Sequence, residues 1–429
     1  MRPLLTLTFL IALALCAASA QLPKPEPPRA WKTAEGAPFT AILVSFDGAT
    51  AIFRTPTGQA KTELTKLSAE DQSYLAEWLK RQPIKFTLPD VIGVETANIK
   101  AEIVSEDAAS EKFVYRTDHF EFESQGKLNT SLLREVARNF EATYELVKAL
   151  PWGIVPQPEE GSHFHARLLK DKSAYAMAGG PPNSGGVYMR SKAQFLVPFE
   201  SIGVKTVGKS YAKDDDFDYS TMVHELTHQM MHASLQLLPQ WVVEGTAEYT
   251  STLPLRTGKF RVSAAKNGLK DHIDFLKKRA LNGVPEPYPL EKLFHVTNGE
   301  WASILAEDPM MSRRLYFTSY LLVYYFMHLD GAGDGQRFVR YFREVAEPRR
   351  AADQYRAAME AFAKQPGVEN LGNGRLRFPN TLKPPEKPAS LDSPDEFQKK
   401  TLAILIDGRS EADLMKQIRS AYAKLGIRL

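Results

Sequence analysis

The chain has 429 residues and a single cysteine, Cys16, which lies inside an apolar N-terminal run. Once that run is removed, no disulfide and no cysteine-based metal site is possible. Beyond it, no uninterrupted apolar stretch approaches the roughly 20 residues that a membrane-crossing helix needs. The longest rival, 315–329, is short and rich in tyrosine, so the mature protein is expected to be soluble. There is no basic block either. The formal net charge is +3, and losing Arg2 with the N-terminal run leaves +2. So mild a balance gives no reason to invoke nucleic acid or an anionic membrane surface. No internal repeat is visible.

Residues 1–20 have the form of a secretory signal peptide. Arg2 supplies the positive end, an apolar run extends from Leu4 to Ala18, and Ala18-Ser19-Ala20 is an A-x-A cleavage site before Gln21. A lipid anchor at Cys16 would want a small residue just before it, and Leu15 is large. Export without disulfides suits a bacterial envelope protein better than a small stapled secreted domain. With 43% hydrophobic residues over roughly 409 remaining positions, the mature chain can bury a large core and hold more than one domain.

Two short motifs carry chemistry. In Val223-His224-Glu225-Leu226-Thr227-His228, helical spacing puts His224 and His228 one turn apart on one face, where both imidazoles can reach one ion. This is the H-E-x-x-H pattern, whose histidines bind zinc and whose glutamate, here Glu225, serves as general base toward water. A catalytic zinc takes a third protein ligand and keeps one position open. Glu244, in Pro239-Gln240-Trp241-Val242-Val243-Glu244-Gly245-Thr246-Ala247-Glu248-Tyr249, is the candidate. The 15 residues 229–243 are enough to finish one helix, turn at Leu238-Pro239 and begin an antiparallel one. Pro239 suits a first helical turn, and Gly245 lets two helices approach closely. Glu248 faces the same way as Glu244 and could accept the spare N–H of a zinc histidine. A third-histidine site would need Gly at 231 and His at 234, where the chain has Met231 and Ser234.

At these residues the chain resembles the glutamate-zincin (gluzincin) metallopeptidases, especially peptidase MA-like proteins carrying H-E-L-T-H followed by W-x-x-E-G-x-A-E-Y. The resemblance implies a mainly helical zincin-like domain, Zn2+ as cofactor and a peptide or protein substrate. In that family an edge strand ahead of the metal helix pairs with the substrate backbone, and Gly185-Gly186-Val187-Tyr188 sits at the matching place. A hairpin with a loose tip fits the same residues. A helix beginning Y-x-x-S often packs near the family's zinc, which makes Tyr316 a candidate donor to the oxyanion, with core packing as the alternative and Tyr188, Tyr249 and Tyr320 next in line.

The rest of the chain sets the expected frame. Residues 21–28 are a proline-rich linker. Within 29–82, strand-like runs at 39–46 and 49–54 flank an Asp47-Gly48 turn, and Pro56-Thr57-Gly58 leads into a third strand. Ser68 and Asp71 resemble a capping box opening a helix with Tyr74, Leu75, Trp78 and Leu79. With Arg29-Ala30-Trp31 and Leu67-Ser68-Ala69-Glu70-Asp71, this stretch is similar to the SH3-like barrel called the SLA homology domain of endocytic adaptors, which implies a protein partner for residues 29–82. Residues 83–110 read as a connector and 111–380 as the peptidase domain, opening with one strand over 112–122 and a helix over 131–150. His163 and His165 alternate on a strand without a third ligand and read as ordinary histidines, and His232 as structural. Residues 381–429 read as an extension packed on the outside. The expected fold class is α+β, and the expected function is an exported zinc metallopeptidase. The alternative is a non-catalytic protein-binding module that keeps a zincin-like scaffold and binds through residues 29–82.

Overall fold

The computed structural model describes residues 27–429 except 47–48, 83, 85, 160, 183, 209, 215–216, 236, 280–284, 373–374 and 389–393. The signal peptide, most of the proline-rich linker and the Asp47-Gly48 turn therefore lie outside the described residues. The chain divides into two compact units, one up to residue 83 and one from Ile84 to Leu429. The fold class is α+β. Among the described residues no helix is long and apolar enough to cross a membrane.

In the first unit β1 (Arg29–Lys32), β2 (Pro38–Phe46), β3 (Thr50–Thr55) and β4 (Gly58–Glu63) form an antiparallel sheet in sequence order. One isolated bridge joins Thr33 to Leu67. No ladder joins β4 to β1, so among the described residues the sheet is open and not a closed barrel. Its core gathers Trp31, Leu43, Phe53 and, from α1 (Ala69–Arg81), Leu75 and Trp78. Ser68 caps α1 by accepting from the Asp71 N–H at 3.2 Å. Asp71 does not return the bond expected of a capping box. Its carboxylate turns to β1, accepting from the Lys32 N–H at 2.7 Å and the Arg29 guanidinium at 2.6 Å.

The second unit is built on a six-stranded sheet. Its strands are β6 (Glu102–Asp107), β7 (Lys112–Arg116), β8 (Phe120–Ser124), β9 (Phe164–Leu169), β10 (Val187–Met189) and β11 (Gln194–Pro198), in the order β10-β11-β9-β8-β7-β6. β9 runs parallel to β8 and β11, and the other pairs are antiparallel. The preceding short strand β5 (Val91–Gly93) pairs elsewhere, with β15 (Lys259–Arg261), which itself pairs with β14 (Leu255–Arg256). Residues 83–110 are thus not a connector. They supply strands to two sheets and bury Ile92 and Ile99 in the main core, a role hidden in the sequence because β6 is exposed along its whole length.

The expected strand over 112–122 is instead the hairpin β7–β8. It turns where the Thr117 N–H donates to the Phe120 carbonyl at 2.8 Å, and Glu141 accepts from the Thr117 hydroxyl at 2.7 Å. Glu141 belongs to α2 (Thr130–Ala149), which begins where Asn129 accepts from the Leu132 N–H at 2.9 Å. Period-two alternation then sorts the sheet's side chains. Phe120, Phe122, Phe195 and Val197 enter the core shared with α2 and α4 (Ser220–Met230), while Leu196 packs with Tyr175 of α3 (Lys172–Met177) on the other face. A small hairpin, β12 (Val204–Val207) with β13 (Ser210–Lys213), leads towards α4.

The helical part consists of α5 (Gln240–Ser251), α6 (Ala265–Arg279), α7 (Leu290–Leu293), α8 (Asn298–Glu307), α9 (Pro309–His328) and α10 (Gln336–Ala363). α9 has proline at its first position and Asp308 accepting from the Met310 and Met311 N–H groups, a strong start for a long helix. After the β16 (Glu369–Gly372) and β17 (Arg375–Arg377) hairpin come α11 (Pro394–Ile406) and α12 (Glu411–Lys424). These last helices are not an external extension. Leu405, Leu414, Ile418 and Tyr422 are buried in the main core, and the Tyr422 hydroxyl donates to the Leu321 carbonyl of α9 at 2.8 Å.

Candidate metal centre and active site

α4 and α5 bring the two sequence motifs together. The hydroxyls of Thr227 and Thr250, one on each helix, lie 2.7 Å apart and are fully buried, which fixes the pairing of the helices. Gln229 extends the tie to the sheet by donating to the His165 carbonyl of β9 at 2.9 Å. Pro239 stands in extended conformation at the N-cap of α5, one position outside the helix.

On this frame the Nε2 atoms of His224 and His228 are 3.1 Å apart, and Glu244 Oε2 lies 3.3 Å from the first and 3.5 Å from the second. Tetrahedral coordination with bonds of about 2.0–2.1 Å puts ligand atoms roughly 3.3 Å from one another. The three atoms therefore describe one face of such a tetrahedron, and together they could hold a metal ion. Glu244 is oriented for this by Gln240, which donates to its other oxygen, Oε1, at 2.7 Å. Oε2 is buried and faces the two imidazoles, at distances too long for well-formed hydrogen bonds. A buried carboxylate oxygen in that state is costly unless a cation meets it.

Charge at the centre points the same way. Burial works to lower the His224 pKa, but the carboxylates of Glu244, Glu248 and Glu225 push it up to about 9. Burial works to raise that of Glu244, and His228 and His224 outweigh it, holding the group well below the usual carboxylate range. Without metal, these charges favour a proton on His224. Glu248 lies with Oε1 3.4 Å from His224 Nδ1, the side of the ring away from the centre. Burial, opposed by His224 and His228 and helped by the neighbouring carboxylates, holds its pKa above the ordinary value.

A cleft of about 800 Å³ opens beside the centre, lined by His224, Glu225, Glu248 and Tyr316 together with Gly185, Gly186, Phe217, Leu253, His272 and Phe275. No protein-family model matches this chain, and no curated protein or solved structure matches it.

The remaining sequence candidates fall on both sides of the cleft wall. Tyr316 lies inside, its ring centroid 6.3 Å from that of His224. Tyr188, Tyr249 and Tyr320 do not line the cleft. Gly185 and Gly186 do, immediately before β10, and β10 is an edge of the main sheet, as the edge-strand reading requires. His163 and His165 do not share a ligand. The first meets Ser162 at 2.8 Å and the second Glu121 at 3.4 Å. Sequence reasoning passed over Gln240, although its position four before Glu244 on one helix was a usable signal. It also passed over the contacts of His232, which involve residues far apart in the chain.

Proposed function

We propose that the chain is an exported zinc metallopeptidase, with a zincin-like second unit and an SH3-like first unit that serves as a docking module for a protein partner. The observation that carries the reading is the triangle of His224 Nε2, His228 Nε2 and Glu244 Oε2, with sides of 3.1, 3.3 and 3.5 Å, beside a cleft that also exposes Glu225. A zinc ion held there supplies Lewis acidity toward water and toward a peptide carbonyl.

The chain's own groups do the rest. Glu225 accepts a proton from water as the water oxygen bonds to the carbonyl carbon, and passes that proton to the nitrogen as the carbon–nitrogen bond breaks. Tyr316 donates its hydroxyl proton in a hydrogen bond to the developing oxyanion. Glu248 holds the His224 ring, and Gln240 holds Glu244.

Metal analysis of protein purified without a histidine tag, followed by turnover of an unstructured substrate such as casein, tests this reading. About one zinc per chain is expected. Glu244→Ala should lose the zinc, because two histidines alone hold it weakly, and Glu225→Gln should keep the zinc and lose turnover. A metal-free wild-type protein, or full zinc content in Glu244→Ala, would overturn the reading.

A further inference from the structure

His232 lies four residues beyond His228, just past the end of α4, and both of its ring nitrogens have partners other than the metal ligands. Nδ1 meets the Tyr188 hydroxyl, and Nε2 lies 2.9 Å from Glu159 Oε2. The other Glu159 oxygen lies 2.9 Å from the Arg356 guanidinium of α10. Four segments remote in sequence thus meet in one line of polar contacts: β10, the turn after α4, the loop before β9, and α10. Burial holds the Tyr188 phenol in its protonated form and favours neutral His232. The phenol therefore donates to Nδ1, and the remaining ring N–H donates to Glu159.

The other end of Tyr188 reaches the centre. Its backbone N–H donates to Glu225 Oε2 at 2.8 Å, and Glu225 lines the cleft. β10 has only three paired residues, matched to β11 through Val187 with Leu196, Tyr188 with Phe195, and Met189 with Gln194, and two glycines precede it. So short an edge strand has little pairing to hold it in place. The Tyr188 side chain adds what the ladder lacks, because it points from the strand to the end of the metal helix.

We infer that Tyr188, His232 and Glu159 form a clamp of positioning residues, which fixes β10 on α4 so that the Tyr188 N–H holds one oxygen of Glu225 and leaves the other free for water. Its catalytic consequence rests on the peptidase reading, but its mechanical part does not. A carboxylate held at one oxygen has a defined direction at the other, and proton transfer is sensitive to direction. Loss of the clamp should therefore act on turnover more than on substrate affinity.

Two measurements on the full chain decide it. Hydrogen–deuterium exchange of the segment 185–190 reads the strand directly, with Glu225→Ala as the fully released reference. Tyr188→Phe and His232→Ala should each speed exchange there by roughly tenfold or more, as expected when a local contact is lost without global unfolding. His232→Asn, whose amide oxygen can still accept from Tyr188, should recover part of that protection. In the same variants kcat should fall by about 10- to 100-fold at unchanged zinc content, with KM nearly constant. Unchanged exchange at 185–190 in both Tyr188→Phe and His232→Ala would overturn the clamp. Faster exchange with kcat unaltered would overturn its action on Glu225. If the zinc-loaded wild type cleaved nothing, the peptidase reading would fall, and the clamp would stand or fall by the exchange data alone.

Discussion

Tyr316 is half-buried at the cleft wall, and burial, followed by the charges of Glu244, Glu248 and Glu225, raises its pKa far above the ordinary phenol range. It therefore keeps its proton at working pH and has an O–H to donate, which suits an oxyanion partner and not a general base. Two of the competing tyrosines are committed elsewhere, and the third does not reach the cleft. Tyr188 binds His232, the Tyr249 hydroxyl lies 2.9 Å from His328 Nε2, and Tyr320 is fully buried outside the cleft. Under the proposed function, Tyr316→Phe should keep fold, zinc and substrate affinity while lowering turnover by about 10²–10³, the usual loss for one such donor. Steady-state kinetics on zinc-quantified protein checks this. Undiminished turnover would return the side chain to packing, where removing a hydroxyl opens no cavity and shows only in stability.

At the scale of elements, the centre depends on how closely α5 approaches α9. A Cβ on Gly245 would lie 2.5 Å from the Ser319 carbonyl oxygen and 2.8 Å from Val323 Cγ2. Backbone cannot give way there without moving a helix, and Glu244 is the neighbouring residue. Gly245→Ala should cost about 1–3 kcal/mol in thermal or urea unfolding and weaken metal binding by roughly 10-fold or more in a chelator competition. An unchanged midpoint and affinity would mean that α5 has slack to shift. The two helices that carry the metal ligands, α4 and α5, were legible in the sequence because i, i+4 spacing is a local signal. So was the cap at Ser68. What escaped was set by distance along the chain. β6 shows no buried face of its own and is a strand only because β7 lies beside it. α11 and α12 follow a proline-rich stretch that reads as a tail, yet their apolar faces complete the core under α9. The Tyr188–His232–Glu159 line has no sequence spacing to betray it.

For the whole molecule, three half-buried histidines set how stability should respond to pH. Burial lowers His272 and His328 from 6.5 to about 4, and burial opposed by three carboxylates leaves metal-free His224 pushed up to about 9. The signs differ. For His272 and His328 the unfolded chain binds the extra proton between pH 6.5 and 4, so the stability they provide is present above 6.5 and is lost as pH falls through that window. For His224 the folded chain holds the extra proton between 6.5 and 9, so its contribution is present below 6.5 and is lost as pH rises. At about 1.4 kcal/mol per pKa unit, each amounts to as much as about 3 kcal/mol. The metal-free protein should therefore show a maximum in its urea midpoint near pH 6.5. Metal occupying the centre takes the place of the His224 proton and should remove the alkaline fall while leaving the acid one. Replacing both His272 and His328 by glutamine should do the reverse, flattening the acid side alone. Urea titrations between pH 4 and 9, with chelator and with saturating zinc, separate the two limbs. An alkaline fall that survives zinc saturation would show that the proton on His224 and the metal do not compete for one place, and would remove the metal centre from the account of this fold.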